Sequence, residues 1–437
     1  MRARPATFAR RSDSPAVLII ADDLTGAADS AVACVTRGLS AVVRFGRDSS
    51  DAGAEALSLD TDTRAITPQD AAAITADVVA RHGGRADTLL FKKIDSTLRG
   101  HPGAEIAAAL QARHRQRITP DAPRGCVILA PTFPTLGRTT VAGCQLLDGA
   151  PLEQTELWRR EGMGGTARLP DLMAAAGLAT ALAPLADVRA GPAALRARIG
   201  AQLQRADIVV CDAETDADIA DATWPLAGAI WAGSAGLVGH LVAAAGLARP
   251  PAPVAVSPAR CGPLLFVVGS LSPISHRQAA RLARENVATL RVDASLIDDA
   301  PGAARFAAAW DDALASGRDI LVQTADDTRL AVDQAAALRA EIASRIAASA
   351  PRIRGLFATG GETARAILSA MGVSTLRILG EVQSGVPVSV AAGPRAWLVV
   401  TKAGAFGDCD TMIQSRLVMQ MLSAASTESV SFPEECK

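Results

Sequence analysis

Residues 88–100 read Thr88-Leu89-Leu90-Phe91-Lys92-Lys93-Ile94-Asp95-Ser96-Thr97-Leu98-Arg99-Gly100. The apolar start predicts a strand, and the polar remainder predicts a loop that carries two ammonium groups, a carboxylate, hydroxyls and a guanidinium. Ligands of α/β proteins bind at the carboxyl ends of parallel strands, so this loop is a candidate site for a small polar anion. The alternative is a solvated turn in which Asp95 or Ser96 caps the next helix.

Three other strands predicted in the first half also end in polar loops. One leads to the adjacent carboxylates Asp22 and Asp23, which need a cation or a hydroxyl nearby unless Asp23 caps a helix and Asp22 is solvated. Another leads to Arg64, whose guanidinium can hold a carboxylate bidentately. The third leads to a loop with Pro and Gly that ends at Arg138. Four such strand ends favour one shared crevice.

The composition is that of a globular protein with ample core material. The 437 residues are 49% hydrophobic and 20% charged, with a formal net charge of -1, so we expect two domains and no nucleic-acid partner. No apolar run approaches the roughly 18 residues of a membrane span. The cysteines are scattered and form no C-x-x-C pair, which favours neither a metal site nor a disulfide framework.

The two ends of the first domain are predicted from shifts in composition. Residues 1–14 carry several arginines without an apolar segment behind them, so they do not match a secretory signal. We interpret them as an unstructured extension of a cytoplasmic protein, with an Arg-rich transit peptide as the alternative. A Pro-rich stretch without a clear period predicts a linker at 248–261. The expected domains are therefore 15–247 and 262–437.

The second half shows a different pattern, in which three predicted strands lead into glycine-rich turns. These turns contain Gly269-Ser270, Gly360-Gly361-Glu362-Thr363 and Lys402-Ala403-Gly404-Ala405-Phe406-Gly407. Backbone amides and hydroxyls at helix starts are suited to phosphate groups. No P-loop or protein-kinase motif set occurs, and the glycines at 233–239 lack the G-x-G-x-x-G spacing.

Taken together, the halves predict a kinase. The first half suits a polyhydroxy anion and the second suits polyphosphate, so a cleft between them would bring an alcohol to a γ-phosphate. Phosphoryl transfer requires mainly positioning and charge neutralisation, with Mg²⁺ on the phosphates and a carboxylate near the hydroxyl. The alternative from another class is a two-domain binding protein without chemistry, which would leave Lys402 and the paired aspartates unused.

The ordered set of motifs resembles the four-carbon acid sugar kinase family, from about residue 17 to about residue 416. The motifs that carry the resemblance are residues 20–27, 92–100, 131–139, 233–237, 269–273, 360–364 and 402–407. The resemblance implies an α/β fold of two domains, each with a largely parallel sheet flanked by helices, and an active site in the cleft between them. It implies an N-terminal domain for the sugar acid, a C-terminal domain for ATP, and phosphorylation of the terminal 4-hydroxyl.

The resemblance also implies site residues. The expected substrate contacts are Asp22, Arg64, Lys93, Ile94, Asp95 and Ser96. The expected nucleotide contacts are Ser270, Gly360, Gly361, Glu362, Thr363, Lys402, Gly404 and Gly407. No protein metal site is predicted, although Asp22 or Asp23 can approach Mg²⁺.

From these residues we expect Arg64 to pair with the substrate carboxylate, while Lys93, Asp95 and Ser96 bind its hydroxyls. Asp22 is the first candidate for orienting or deprotonating the 4-hydroxyl, and Asp95 is the second. The loop at 92–100 is more similar to that of threonate and erythronate kinases than to that of 3-oxo-tetronate kinases. D-threonate or D-erythronate is therefore the expected substrate, with 3-oxo-tetronate or L-threonate as alternatives. The sequence leaves the oligomeric state open between a monomer and a homodimer.

Overall fold

The computed structural model describes residues 15–45, 53–83, 88–116, 125–226, 228–252, 261–293, 295–324, 332–392 and 396–424. The predicted extension at 1–14 and positions 253–260 of the predicted linker lie outside the described residues. The described residues form two compact units. The first holds those up to Val42 and from 53 to Pro251, and the second holds those from Val43 to 45 and from Ala252 onward. The domain boundaries given above stay a prediction.

The first unit combines parallel strands with helices. Its strands are β1 Val17–Ala21, β2 Ala41–Arg44, β3 Ala56–Asp60, β4 Leu89–Lys93, β5 Val127–Ala130, β6 Arg138–Val141, β7 Cys144–Leu147, β8 Ala150–Pro151, β9 Thr180–Ala183, β10 Ile208–Cys211 and β11 Ile230–Gly233. The division between the two units falls within β2. Its helices are α1 Leu24–Val35, α2 Pro68–His82, α3 Pro102–Arg115, α4 Glu156–Arg160, α5 Leu169–Ala175, α6 Leu185–Val188, α7 Pro192–Gln202, α8 Asp216–Asp221 and α9 Ala235–Ala244. Short 3-10 turns span Pro134–Leu136 and Leu152–Gln154.

The main sheet of the first unit is parallel, with strand order β3-β1-β4-β11-β5-β10-β9. Strand β1 lies between β3 and β4, with Val17 opposite both Ala56 and Leu89. All of its residues are buried, as expected of a strand that is covered on both faces. A separate antiparallel sheet, β6-β7-β8, was not expected from the sequence.

The second unit repeats the α/β pattern. Its strands are β12 Leu264–Val268, β13 Val287–Val292, β14 Asp319–Thr324, β15 Gly355–Thr359, β16 Thr375–Glu381, β17 Pro387–Ala391 and β18 Leu398–Lys402. Its helices are α10 Pro273–Leu282, α11 Ser295–Asp298, α12 Ala300–Ala315, α13 Val332–Ser349, α14 Gly361–Ala370 and α15 Thr411–Ala424, with a 3-10 turn at Ala350–Arg352. The strand order is β13-β14-β12-β15-β18-β17-β16. The first five strands of this order, β13-β14-β12-β15-β18, pair in parallel. Strand β17 runs antiparallel to both of its neighbours, β18 and β16.

Each unit has its own hydrophobic core, built mainly from aliphatic side chains. In the first unit the core includes Leu18, Ile106 and Leu129, and in the second Phe266 stacks on Phe357 with ring centroids 5.3 Å apart. The predicted fold class, largely parallel sheets flanked by helices, is confirmed. Among the described helices, none is both long and apolar enough to cross a membrane.

Candidate functional site

The two lysines of the 88–100 segment have different surroundings. Strand β4 continues to Lys93, two residues further than the sequence predicted, and successive strand residues point to opposite faces of a sheet. Lys92 Nζ lies 3.2 Å from a carboxylate oxygen of Glu105 and donates to the Lys93 carbonyl at 3.0 Å. Lys92 and Glu105 are both almost fully buried. The ion pair of Lys92 with Glu105 therefore joins β4 to α3.

Lys93 is buried without such a partner. Within the described part of the chain its ammonium has neither a carboxylate within 4 Å nor a hydrogen-bond acceptor, although Lys93 is only 6% exposed. A Cβ placed on Gly26 would lie 2.8 Å from Lys93 Nζ and 2.7 Å from Asp23 Oδ1. Lys93 thus extends to the first turn of α1, and the absence of a side chain at Gly26 leaves room for its ammonium.

Arg64 lies between the two adjacent carboxylates. Its Nε and Nη2 donate to the two oxygens of Asp22 at 2.8 and 2.9 Å. Its Nη1 and Nη2 donate to the two oxygens of Asp23 at 2.8 and 3.0 Å. A guanidinium has five N–H groups, so these contacts leave a single one, on Nη1. The Arg64 side chain was expected to bind a substrate carboxylate, but it is already occupied by Asp22 and Asp23.

Asp23 has two roles, only one of which was expected. It is the N-cap of α1, with Oδ1 accepting from the Gly26 amide at 2.9 Å and Oδ2 from the Thr25 hydroxyl at 2.6 Å. It also binds Arg64, so the alternative in which Asp23 is only a cap accounts for half of its contacts. For Asp22, burial acts to raise the pKa, but Arg64 together with Lys92 and Lys93 outweighs it and holds the pKa below its usual value.

Asp95 shapes the loop that follows β4. Its Oδ1 accepts from the Thr97 amide and hydroxyl, both at 3.0 Å, and its Oδ2 is paired with Arg99. Burial acts to raise the pKa of Asp95, but Arg99 and Arg64 hold it well below its usual range. Arg99, which the sequence left unassigned, therefore fixes the loop through an ion pair with Asp95.

The other predicted residues of this loop differ in what they can offer a ligand. The Ile94 side chain is part of the core and its amide donates to the Gly233 carbonyl at 2.9 Å, so contact with a ligand would have to come from its carbonyl. Ser96 is 6% exposed, and its hydroxyl makes no hydrogen bond to any described residue. Arg138 is buried too, and its Nη1 donates to the Leu136 carbonyl at 2.6 Å.

In the second unit, the three glycine-rich turns follow β12, β15 and β18, which are neighbours in the sheet. A Cβ on Gly269 would lie 2.0 Å from the Thr363 hydroxyl, and one on Gly404 would lie 1.9 Å from the Ser270 hydroxyl. The Gly360 amide donates to the Lys402 carbonyl at 3.0 Å. The turns therefore converge so closely that glycine is required at their contacts.

Lys402 lies beneath these turns and not at their surface. It is fully buried, and its Nζ donates to the Ser275 hydroxyl at 3.0 Å and to the Gly404 carbonyl at 3.1 Å. Ser275 also donates to the Gly404 carbonyl, at 2.8 Å. Burial lowers the pKa of Lys402 to about 7. In this arrangement Lys402 ties the turn after β18 to α10.

The structure changes the roles that Glu362 and Gly407, two further predicted nucleotide contacts, can have. The Glu362 side chain is 64% exposed and pairs with Arg339 at 2.5 Å, so a negatively charged phosphate would meet only its backbone amide at the start of α14. Gly407 adopts φ 76°, and a Cβ there would lie 2.2 Å from the Thr411 hydroxyl. Its glycine is required by the turn itself.

Sequence reasoning missed residues that hold these loops in place. Gln278 on α10 donates to the carbonyls of Phe406 and Asp408 at 3.2 and 2.6 Å. Glu105 accepts from the Thr63 hydroxyl at 2.5 Å, next to Arg64. Glu105 lies in a helix with little amphipathic pattern, so no signal in the sequence marked it as buried.

The carboxylates of the first unit do not form a metal cage. Among the described residues there is no group of three or more His, Cys, Asp or Glu side chains that could hold a metal ion. All four carboxylate oxygens of Asp22 and Asp23 accept hydrogen bonds from Arg64. The arrangement can bind and orient a small polyhydroxy anion through Lys93 and Ser96, whereas the turns of the second unit present amides and hydroxyls.

Two family profiles match successive parts of the chain. Residues 17–241 match the family profile described as a sugar-binding N-terminal domain, and residues 265–412 match the profile described as a nucleotide-binding C-terminal domain. A solved structure of a Haemophilus influenzae protein has a TM-score of 0.70 at 21% identity and covers 92% of this chain and 100% of its own. At that identity the likeness supports the fold alone.

Two curated relatives carry the same kind of name. A protein named D-threonate kinase from Cupriavidus necator is 42% identical over 407 residues, which are 89% of this chain and 94% of the relative. A protein named D-erythronate kinase from Heliobacterium modesticaldum is 30% identical over 432 residues, 90% of this chain and 94% of the relative. The resemblance predicted from the motifs is confirmed: the chain belongs to the four-carbon acid sugar kinase family.

Proposed function

We propose that this protein is a kinase that transfers the γ-phosphoryl group of ATP to the 4-hydroxyl of D-threonate. The observation that carries the proposal is a pair of groups, the Lys93 ammonium and the Ser96 hydroxyl, that have no partner among the described residues and lie in a polar cluster whose other members are bound to one another. The name of the 42% identical relative supports D-threonate, and the name of the 30% identical relative makes D-erythronate the second candidate.

In this proposal Lys93, and not Arg64, binds the carboxylate of the acid. Arg64 has one N–H group left after its contacts with Asp22 and Asp23, whereas Lys93 has all three ammonium hydrogens available within the described residues. A buried ammonium without a partner is costly, so an anion that meets Lys93 gains a strong, charge-assisted interaction. Arg64 then acts by holding the two aspartates in place.

Asp22 and Asp95, the two candidates for a catalytic carboxylate, are weak bases. Both carboxyl groups have pKa values below the usual range because cationic side chains outweigh the effect of burial. In phosphoryl transfer the transition state is largely dissociative, so the hydroxyl requires positioning more than early deprotonation. We expect Asp22 to accept the hydrogen bond of the reacting hydroxyl, while Asp95 keeps Ser96 in place through the loop.

ATP is proposed to bind the turns of the second unit. The amides at the start of α14 and the hydroxyls of Ser270 and Thr363 would contact its phosphates, while Lys402 supports the turn after β18. Magnesium usually keeps several water ligands and binds through substrate phosphates with one or two carboxylates. The described residues offer no protein cage, so Mg²⁺ would arrive on the triphosphate. That the two substrates meet between the domains stays a prediction.

An ADP-release assay with Mg²⁺ tests the proposal across D-threonate, D-erythronate, L-threonate and 3-oxo-tetronate. D-threonate should give the highest kcat/KM. Lys93→Met should raise the KM for the acid by about 100-fold, as expected for loss of a charge-assisted contact, and should leave the KM for ATP within about twofold. If ATP binds but no acid causes ADP release, the binding-protein alternative replaces the kinase.

A further inference from the structure

The antiparallel sheet β6-β7-β8 contains a pair of polar side chains that have no access to solvent. Thr140 on β6 and Gln145 on β7 are opposite each other in register, and both are 0% exposed. The large majority of buried polar side chains in proteins are hydrogen-bonded. Their partners therefore indicate what this sheet does beyond adding strands.

Gln145 reaches out of its sheet to the loop after β4. Its Nε2 donates to the Ser96 carbonyl at 2.9 Å, and its Oε1 accepts from the Thr140 hydroxyl at 2.8 Å. A carbonyl can only accept and Nε2 can only donate, so the Ser96 carbonyl sets the orientation of the amide, and the Thr140 hydroxyl holds the amide there by donating to Oε1. Among the described residues, no other side chain outside the loop hydrogen-bonds to the Ser96 backbone.

The other end of this chain of hydrogen bonds is anchored to the main sheet. Because the Thr140 hydrogen is donated to Gln145, the hydroxyl of Thr132, which follows β5, donates to Thr140 at 2.9 Å, and it lies 3.1 Å from the Ala213 carbonyl. Ser234, which follows β11, donates to the Thr132 carbonyl at 2.6 Å. All of these side chains are buried. The chain therefore connects the ends of parallel strands with the loop that carries Ser96.

The loop that receives this support has a strained backbone. Leu98 adopts φ 61°, in the left-handed region that costs a non-glycine residue roughly 1–2 kcal/mol. Its amide donates to the Asp95 carbonyl at 2.8 Å, and the Asp95 side chain closes the same turn. A strained conformation persists only where its surroundings hold it, and Gln145 is the contact that comes from a separate sheet.

We propose that Gln145, held by Thr140, is a positioning residue that sets the place of the Ser96 hydroxyl and thereby the selectivity among four-carbon acids. The inference rests on the function proposed above. Epimeric acids differ only in where a hydroxyl lies, so a small displacement of one hydrogen-bonding group changes their relative rates. Gln145 itself does not contact the substrate in this proposal.

Kinetics and hydrogen exchange of matched variants test the role. Gln145→Met keeps the volume but removes both hydrogen bonds. It should raise the KM for D-threonate about tenfold and change the ratio of kcat/KM between D-threonate and D-erythronate at least about threefold, with the KM for ATP within about twofold. The amides of residues 95–100 should exchange about tenfold faster, because their support is lost. Ser389→Ala, which removes a buried hydroxyl in the second unit, is the control and should change none of these.

A second pair keeps the test decisive if Gln145→Met does not fold. Thr140→Val should reproduce the effects, and Thr140→Ser, which retains the hydroxyl, should restore wild-type values. If Gln145→Met or Thr140→Val only lowers stability, with an unchanged substrate ratio and unchanged exchange at 95–100, the positioning role is wrong. Hydrogen exchange is measured without substrate and therefore does not depend on the proposed function. If the wild-type protein phosphorylates no acid, the proposed function is wrong, and the exchange rates at 95–100 still show whether Gln145 holds the loop.

Discussion

Neighbouring charged residues of this protein have separate tasks, and the partners of each decide which. Lys92 is neutralised by Glu105 inside the fold, whereas Lys93 keeps its ammonium without an acceptor among the described residues. Arg64 similarly binds two protein carboxylates. Of these three cations, Lys93 is therefore the one that we propose binds the anion, although an arginine is the usual choice for bidentate recognition of a carboxylate.

Removal of Arg64 should make stability depend differently on pH. In the wild type the lowered pKa of Asp22 contributes stability that is present above the unfolded pKa of about 4 and lost as pH falls through the folded value. In Arg64→Met the burial of Asp22 is opposed only by the weaker effects of Lys92 and Lys93, so its pKa rises and the variant recovers stability as pH falls. Urea unfolding should show a deficit of about 3–5 kcal/mol at pH 7 that shrinks toward pH 4. A deficit that is equal at both pH values would contradict this account.

Lys402 should make the stability of the protein depend on pH in the alkaline range. Its pKa is about 7 in the folded protein and near 10.4 when unfolded, so between these values the unfolded chain binds more protons and wild-type stability rises with pH. Relative to Lys402→Met, the wild type should gain roughly 3–5 kcal/mol of unfolding free energy between pH 7 and pH 10. Parallel stability curves for the two proteins would show that Lys402 stays charged in the fold.

The start of helix α1 is shaped by the side chains that meet there. Alanine in place of a helical glycine usually stabilises a protein by roughly 0.5–1 kcal/mol. At Gly26, however, the added Cβ would lie within 3 Å of Lys93 Nζ and Asp23 Oδ1. Gly26→Ala should therefore lower kcat/KM for the acid at least about tenfold, because the ammonium is displaced, with little gain in stability.

Gly200 in helix α7 provides the matched control, since a Cβ there meets nothing within 4 Å. Gly200→Ala should raise the unfolding free energy by about 0.5–1 kcal/mol and leave the kinetics unchanged. Thermal unfolding and ADP release, measured on both variants, check the contrast. Equal activity of the two variants would show that Lys93 does not depend on the space at Gly26.

The elements that the sequence predicted well are those with strong apolar runs. Strands β1, β4, β12, β15 and β18 are buried along their whole length, and each contains an apolar run of at least three residues. The sheet β6-β7-β8 was missed because its strands are short and partly polar. Gln145 in this sheet is a residue type that usually lies at the surface, so the sequence does not indicate its burial. The Ser96 carbonyl that it binds belongs to a distant part of the chain.

Side-chain roles were less predictable than the strand ends that carry them. The positions of Asp22 and Arg64 after parallel strands, and of Lys93 near the end of one, followed from the pattern. That Arg64 would bind Asp22 and Asp23 required the path of the loop between β3 and α2, which no periodicity encodes. Lys92 and Lys93 also look equivalent in sequence, because only the strand's pairing decides which of two adjacent residues faces the core.

At the scale of the whole molecule, the two units should separate the binding of the acid from that of the nucleotide. In Gly404→Ala the new Cβ would lie 1.9 Å from the Ser270 hydroxyl and push two turns of the second unit apart. The KM for ATP should rise at least about tenfold, while the KM for D-threonate stays within about twofold, because a misplaced loop loses its contacts. A rise in both constants would show that the turns do not serve the nucleotide alone.

The central claim is that the phosphoryl group of ATP is transferred to the 4-hydroxyl of D-threonate, and the structure of the product tests it most directly. After complete turnover, proton–phosphorus correlation NMR identifies the carbon that bears the phosphate. The account predicts a phosphorus nucleus coupled to the two methylene protons at C4. Coupling to a methine proton at C2 or C3, or the absence of any phosphorylated acid, would contradict it.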